Sequence, residues 1–256
     1  MEGKIIKVLE CKNLIKVYDA YRAKSATKAL NNISFEVNDG EFLGIMGPSG
    51  SGKTTLLNIF SGIDAATSGE VFINGKSVLS MTRDEMAMFR RRNVGFIFQE
   101  FNLLDSLTVK ENIGFPLTVD KVKPQKIEDK VSELLNFLGI IDIANSYSYN
   151  ISGGEKQRTA VARALVTEPK IIFADEPTGN LDSKSSMNIM ETFKKINEEK
   201  KSTIVLVTHD PFAASFCKKI IFIKDGTIKL EINSDGNRKR FFDKVIEAQG
   251  IIGGEA

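Results

Sequence analysis

Residues Gly47–Thr55 read GPSGSGKTT, which fits the pattern G-x-x-x-x-G-K-[ST] and lies where the strand-like FLGIM passes into the helix-like TLLNIFSGI. Glycines at this spacing let backbone N–H groups turn inward around phosphate oxygens. The helix that follows presents its positive N-terminal end to the same anion. In such a loop Gly47, Ser49, Gly50, Ser51 and Gly52 face the phosphates, and Lys53 reaches the β- and γ-phosphates of a nucleoside triphosphate. Thr54 would offer its hydroxyl to Mg²⁺, and Thr55 could donate to the α-phosphate.

A second set of groups suits hydrolysis of that phosphate. The run KIIFADEP, 170–177, is an apolar strand ending in two carboxylates, at the edge where α/β sheets bind ligands. Asp175 can hold Mg²⁺ through water, and Glu176 can polarise the water that attacks the γ-phosphate. His209, the only histidine, follows TIVLVT at the end of another expected parallel strand, where an imidazole can hydrogen-bond the γ-phosphate and the attacking water. Gln99, closing VGFIFQ, could offer its amide oxygen to Mg²⁺ or to the water.

A further anion site stands about a hundred residues after the first. In NISGGEKQR, 150–158, Ser152 and two glycines precede the helix-forming TAVARALV, so free N–H groups at a helix start would favour an anion. A plain helix cap is the other reading. Ser152 belongs to a helical layer and Lys53 to the core, so the two need not meet inside one chain.

The elements that must position these residues follow from the hydrophobic pattern. From Lys4 to about Val78, short β-rich runs (ISFEV, FLGIM, EVFING) alternate with turn residues, interrupted by one helix after Lys53. Between roughly Phe101 and Leu165 the period turns helical: Ile127, Val131, Leu134, Leu135 and Leu138 would line one face. KIIFA and STIVLV then read as strands covered on both faces of a parallel sheet, and Lys224–Gly226 as a tight hairpin turn. The tail after Glu231 is charged and has no role that its residues reveal.

Composition sets the outer limits. With 256 residues, 42% hydrophobic and 27% charged, the chain can bury a full core. A formal charge of +2 gives no basic field for nucleic acid. The RRR run at Arg90–Arg92 reads as the solvated end of an amphipathic helix. Two distant cysteines, Cys11 and Cys217, make no disulfide framework or zinc site and fit a reducing cytoplasm. The start, MEGKIIKVLECKN, is broken by charges before a signal-peptide core can form, and no apolar run reaches the length of a membrane span.

In this order, the motifs resemble those of the ATP-binding subunit of an ABC transporter. GPSGSGKTT looks like its Walker A, Gln99 its Q-loop, ISGGEKQR its signature, IIFADEP its Walker B, GNLD its D-loop and His209 its switch histidine. The resemblance covers essentially the whole chain. It implies an α/β fold of the P-loop NTPase class, with a RecA-like core, an antiparallel β subdomain and an inserted helical subdomain. The division expected is 1–98 for the β subdomain and phosphate-loop part of the core, 99–165 for the helical subdomain, 166–230 for the rest of the core and 231–256 for a C-terminal extension. Tyr18 looks like the aromatic that stacks on adenine, a buried strand tyrosine being the alternative.

The resemblance also implies ATP and Mg²⁺ as cofactors, with Thr54, Gln99 and Asp175 around the metal and Glu176, His209 and Gln99 in catalysis. Two subunits would pack head to tail, so that Ser152, Gly153, Gly154 and Asp182 of one complete the site of the other. Other implied partners are an integral membrane permease and, in one branch, a two-component sensor kinase; no nucleic acid is expected, and the chain would sit peripherally on the cytoplasmic side of the cell membrane. The permease would rest near Gln99 and EFNLLDSLTVKENI, where Phe101, Leu103 and Leu104 are either docking surface or helical-layer core.

DEPTGNLDSKS and QEFNLLDSLTVKEN are similar to the branch of macrolide-export, lipoprotein-release and peptide-antibiotic resistance ATPases. THDPFAASFCKKIIFIKDG and the tail's FFDKVIEAQGIIGG are similar to the bacitracin- and nisin-resistance type of Gram-positive bacteria. A lipoprotein-releasing or cell-division ATPase is the rival reading. A DNA-repair ATPase of this class would carry a long coiled coil between Lys53 and Ser152, which stand only 99 positions apart without sustained heptads. A small-molecule kinase would need neither SGGEKQR nor His209. Glu155 stands where glutamine is common in the family, a departure that leaves the ATPase expectation intact.

Overall fold

The structure, a computed structural model, describes residues 6–18 and 26–253. The expected start of the β-rich region at Lys4, and the last three residues of the 231–256 extension, lie outside them.

Short apolar runs build the core sheet. Phe42–Met46 (β3), Val94–Ile97 (β6), Ile171–Asp175 (β7), Thr203–Val207 (β8) and Lys219–Lys224 (β9) are almost wholly buried, and Thr227–Asn233 (β10) closes one edge. The order is β10-β9-β3-β8-β7-β6, parallel throughout except for the β9–β10 hairpin. Successive side chains of a strand point to opposite faces. Ile172 and Ala174 accordingly join one hydrophobic cluster, with Ile204 and Leu206, while Ile171 and Phe173 join the other, with Val205 and Val207. With both faces covered, the strands have no polar alternation to show, which is why they read as continuous apolar runs. The predicted turn falls at Asp225 and Gly226, whose φ values of 51° and 69° match a two-residue hairpin.

One face is covered by an antiparallel sheet of order β2-β1-β4-β5: Thr27–Asn38 (β2), Lys7–Tyr18 (β1), Ser68–Ile73 (β4) and Lys76–Ser77 (β5). Beneath it lies Lys53–Phe60 (α1), whose Phe60 meets Phe35 edge to face at 5.8 Å. Arg83–Asn93 (α2) follows.

The helical layer consists of Val109–Val119 (α3), Pro124–Phe137 (α4) and Gly153–Leu165 (α5). Val131, Leu134, Leu135 and Leu138 are buried as the period predicted, with Ile127 packed against them. Helices α2, α3 and α5 each begin with a capping box, Thr82/Glu85, Thr108/Glu111 and Ser152/Glu155, which satisfies orphan N–H groups that would otherwise fray the first turn. Ser183–Glu199 (α6) leads into β8, and the four-residue Pro211–Ala214 (α7) leads towards β9.

Three readings are sharpened by the fold. The charged tail, to which the sequence assigned no role, contains a helix, Arg238–Gly253 (α8), that buries Phe241, Val245, Ala248 and Ile252. The arginine run is not simply solvated, because Arg90 donates to the carbonyls of Ser61 and Gly62 and Arg91 pairs with Asp120 at 2.8 Å; only Arg92 is exposed. Tyr18 is not a buried strand tyrosine, being 43% exposed at the end of β1.

Candidate functional site

Because β3, β7 and β8 run parallel and in register, with Ile45 and Asp175 both opposite Val207, their carboxyl ends finish at one level. The Gly47–Gly52 loop, the Asp175–Glu176 pair and His209 are therefore delivered to a common edge. They enclose a cleft of about 560 Å³ lined by Gly47–Gly50, Gly52–Thr55, Glu176 and His209, together with Ala29 and Gln249.

The loop's shape depends on missing side chains. A Cβ on Gly47 would come within 2.0 Å of the Ile223 carbonyl oxygen. Gly52, at φ 101°, would clash with the Ala29 carbonyl at 2.5 Å. No side chain caps α1, so its first-turn N–H groups are left for a ligand. Lys53 is folded into the loop, donating to the carbonyls of Gly47 at 2.8 Å and Pro48 at 2.9 Å. Burial pulls its pKa below the ordinary lysine value against the opposing charges of Glu176 and Asp175. The Ser51 hydroxyl is buried with no protein partner, an orphan that a phosphate oxygen would satisfy.

Burial raises the Asp175 pKa, with the charge of Glu176 adding to it and the Thr54 hydroxyl and Lys53 opposing it. Thr54 Oγ1 stands 3.4 Å from Asp175 Oδ1, two hard oxygens side by side. Glu176 adopts φ 48°, a conformation unfavourable for a side-chain-bearing residue, held by its N–H donating to Val207 at 2.9 Å. That turn aims its carboxylate at His209, whose Nδ1 lies 2.9 Å from Glu176 Oε1. The histidine side chain is 68% exposed and the glutamate 16%.

Not every expected residue reaches the cleft. Gln99 lies against Gly179, where a Cβ would meet its Nε2 at 2.7 Å, and its carbonyl accepts from Asn180 at 3.1 Å. Tyr18 donates to Asp64 at 2.7 Å, and the Lys16 ammonium sits 4.5 Å from the centre of its ring. Ser152 heads α5 away from Lys53: its hydroxyl donates to Glu155 Oε2 at 2.7 Å, and this bond holds the Glu155 pKa below the usual range. Gly153 and Gly154 abut the next loop, where their added Cβ atoms would lie 3.3 Å from Leu181 and 3.2 Å from the Ser185 hydroxyl. Asp182 caps α6, accepting from the N–H groups of Lys184 and Ser185. Ser152 and Asp182 are exposed, Gly153 is half-buried and Gly154 buried, and none of the four lines the Lys53 cleft.

Phe101 and Asn102 both have left-handed backbones, and their carbonyls accept from Arg163, whose pKa burial lowers. Phe101 and Leu103 are half-buried and Leu104 is exposed. The reading of the sequence missed two wall residues, Ala29 and Gln249. The helical spacing of Phe241, Val245, Ala248 and Ile252 was the available signal for the element carrying Gln249.

Residues 30–179 match the ABC transporter family. The chain is 49% identical over 250 residues to an uncharacterized ABC transporter ATP-binding protein of Bacillus subtilis, YvcR, spanning 98% of this chain and 96% of that one. It is 47% identical over 248 residues to the bacitracin export ATP-binding protein BceA of Halalkalibacterium halodurans, covering 96% and 97%. Among solved structures, the dimeric post-hydrolysis state of the Methanocaldococcus jannaschii cassette MJ0796 bound to ADP and Pi matches with a TM-score of 0.81 at 40% identity, covering 90% of this chain and all of that one.

Proposed function

This chain belongs to the ABC transporter ATP-binding family and hydrolyses ATP, and from that premise we propose that it powers the export or detoxification of an antimicrobial peptide of the bacitracin type. The observation that carries the reading is the near full-length similarity to a bacitracin export ATPase on both chains.

In the proposed mechanism, the triphosphate lies over Gly47–Thr55, with Lys53 turning from one of its two loop carbonyls to the β- and γ-oxygens and the adenine stacking near Tyr18. Water attacks the γ-phosphorus, Glu176 takes its proton, and the bond to the β–γ bridging oxygen breaks with its electron pair leaving on ADP. His209 holds Glu176 and the γ-phosphate side of the cleft. Thr54 and Asp175 are hard oxygen donors that would hold Mg²⁺, and the Gln99 amide oxygen would be a further ligand. When bound, Mg²⁺ would supply neutralisation of the charge on the triphosphate.

A second copy of the chain, packed head to tail, would bring Ser152, Gly153, Gly154 and Asp182 to the γ-phosphate. The exposure of Ser152 and Asp182 outside the Lys53 cleft supports the arrangement, as does the dimeric form of the archaeal relative. ATP then joins the subunits and hydrolysis separates them. The functional units would be 1–98, 99–165, 166–230 and 231–256. Among the described residues no helix is long and apolar enough to cross a membrane. An integral permease, with a sensor kinase in attendance, would receive the motion while this chain sits peripherally on the cytoplasmic face.

Co-purification of the tagged chain from its native membrane tests the reading. A ten-helix permease with one large extracellular domain is expected. A four-helix permease, or a cell-wall hydrolase activator, would overturn peptide resistance in favour of lipoprotein release or cell division.

A further inference from the structure

The helix α8 is anchored directly behind the His209 segment. Phe241, Val245, Ala248 and Ile252 recur at steps of four, three and four, so they share one face, and that face is buried. At its start, the Arg238 guanidinium lies 4.5 Å from the ring centre of Phe216, just beyond α7, and 5.6 Å from that of Phe212, within α7. At its end, Lys224 donates to the Ile252 carbonyl at 2.7 Å, tying the helix to the last residue of β9. The β9–β10 turn that follows is itself joined to the phosphate loop, where Gly226 N–H donates to the Ser51 carbonyl at 3.3 Å. The anchored helix holds Gln249 in the cleft wall beside Glu176 and His209, with its Nε2 donating to the His209 carbonyl at 3.5 Å.

His209 needs that support. Its imidazole is mostly exposed and, among the described residues, hydrogen-bonds the Glu176 carboxylate. Its backbone bridges the end of β8 and the start of α7, where Asp210 N–H donates to Thr208 Oγ1 and the Asp210 side chain accepts from Phe212 N–H. Those two bonds order the residues on its C-terminal side. The Gln249 amide, in a long contact of 3.5 Å, reaches the carbonyl of His209 itself.

We infer that Gln249 is a positioning residue for ATP hydrolysis: through the His209 carbonyl, the docked α8 sets the imidazole on Glu176, which makes the C-terminal extension part of the hydrolytic site. This inference rests on the proposed role of His209.

The test is a double-mutant cycle on the full-length chain, with steady-state ATP hydrolysis as readout. Gln249 is exposed, so Gln249→Ala leaves the buried face of α8 intact. Loss of one neutral hydrogen bond predicts a fall in kcat of about fivefold with KM for ATP unchanged. Gln249→Glu, which keeps the shape but removes the donor, should lower kcat in the same way. In a His209→Ala background Gln249→Ala should cost nothing further, because the imidazole it positions through the backbone is gone. Unchanged kcat in Gln249→Ala, with His209→Ala impaired, would overturn the inference and leave the His209 reading standing. So would losses that multiply in the double variant, since Gln249 would then act independently of His209. An unimpaired His209→Ala would instead sink the proposed role of the histidine, and the inference with it.

Discussion

Replacement of Lys53 by alanine gives the sharpest test of the phosphate loop. Lys53 is 7% exposed as a residue, and its ammonium donates to the carbonyls of Gly47 and Pro48. Its desolvation has therefore been met on folding, as its lowered pKa reflects, and ATP does not have to dehydrate it again. Facing one phosphate charge at about 4 Å, with an effective dielectric near 20, the cation gains about 4 kcal/mol. Giving up one carbonyl partner takes back roughly 1.5 kcal/mol. The net, about 2–3 kcal/mol, predicts a rise in Kd for ATP of about 30- to 150-fold. Titration calorimetry with ATP and Mg²⁺ on the full chain measures it, and a thermal melt without nucleotide provides the control. The melt should move little, because the variant loses two hydrogen bonds but also a buried charge. A Kd within about twofold of the wild type, with an unchanged melt, would refute the assignment of Lys53 to the phosphates.

Glu176→Gln should bind ATP normally, lose on the order of 10²- to 10⁴-fold in kcat, and accumulate as a closed dimer on gel filtration; a variant that stays monomeric with ATP and Mg²⁺ speaks against the sandwich. Mixing Ser152→Arg chains with Lys53→Ala chains should restore an activity that neither shows alone, since each heterodimer then carries one intact composite site. No recovery would mean that the two loops do not act in trans. Glu85, Glu111 and Glu155 have pKa values held below 4.5 by their capping partners Thr82, Thr108 and Ser152. A depressed folded-state pKa stabilises fully above the unfolded value and less as pH falls through the folded one, so the urea midpoint should decline below about pH 4.5. A midpoint that stays flat to about pH 3.5 would show that the boxes contribute nothing.

The strands FLGIM, IIFAD and TIVLV were legible because burial on both faces leaves an uninterrupted apolar run, and the Asp225-Gly226 turn because few residues other than glycine and Asx adopt its backbone. Arg90 and Arg91 were misread because a charge run carries no mark of which carbonyls or carboxylates another element will bring to it. Helix α8 had its period in plain view, yet nothing local announces that its face belongs against α7 and the end of β9.

What the sequence determined by itself was the chemistry of the ligand. A phosphate loop is made by some nine consecutive residues, its N–H groups turned by its own glycines and its lysine within reach along the same turn. The tertiary structure decided which other groups face that ligand. The sheet runs β10-β9-β3-β8-β7-β6, an order unrelated to chain order; it brings Glu176 and His209 to the cleft that Lys53 lines, the docked α8 adds Gln249, and Ser152 stays outside it. The physical reason is that strand pairing and apolar burial act between segments far apart in the chain. An individual side chain such as Gln249 takes its place only after those segments have packed.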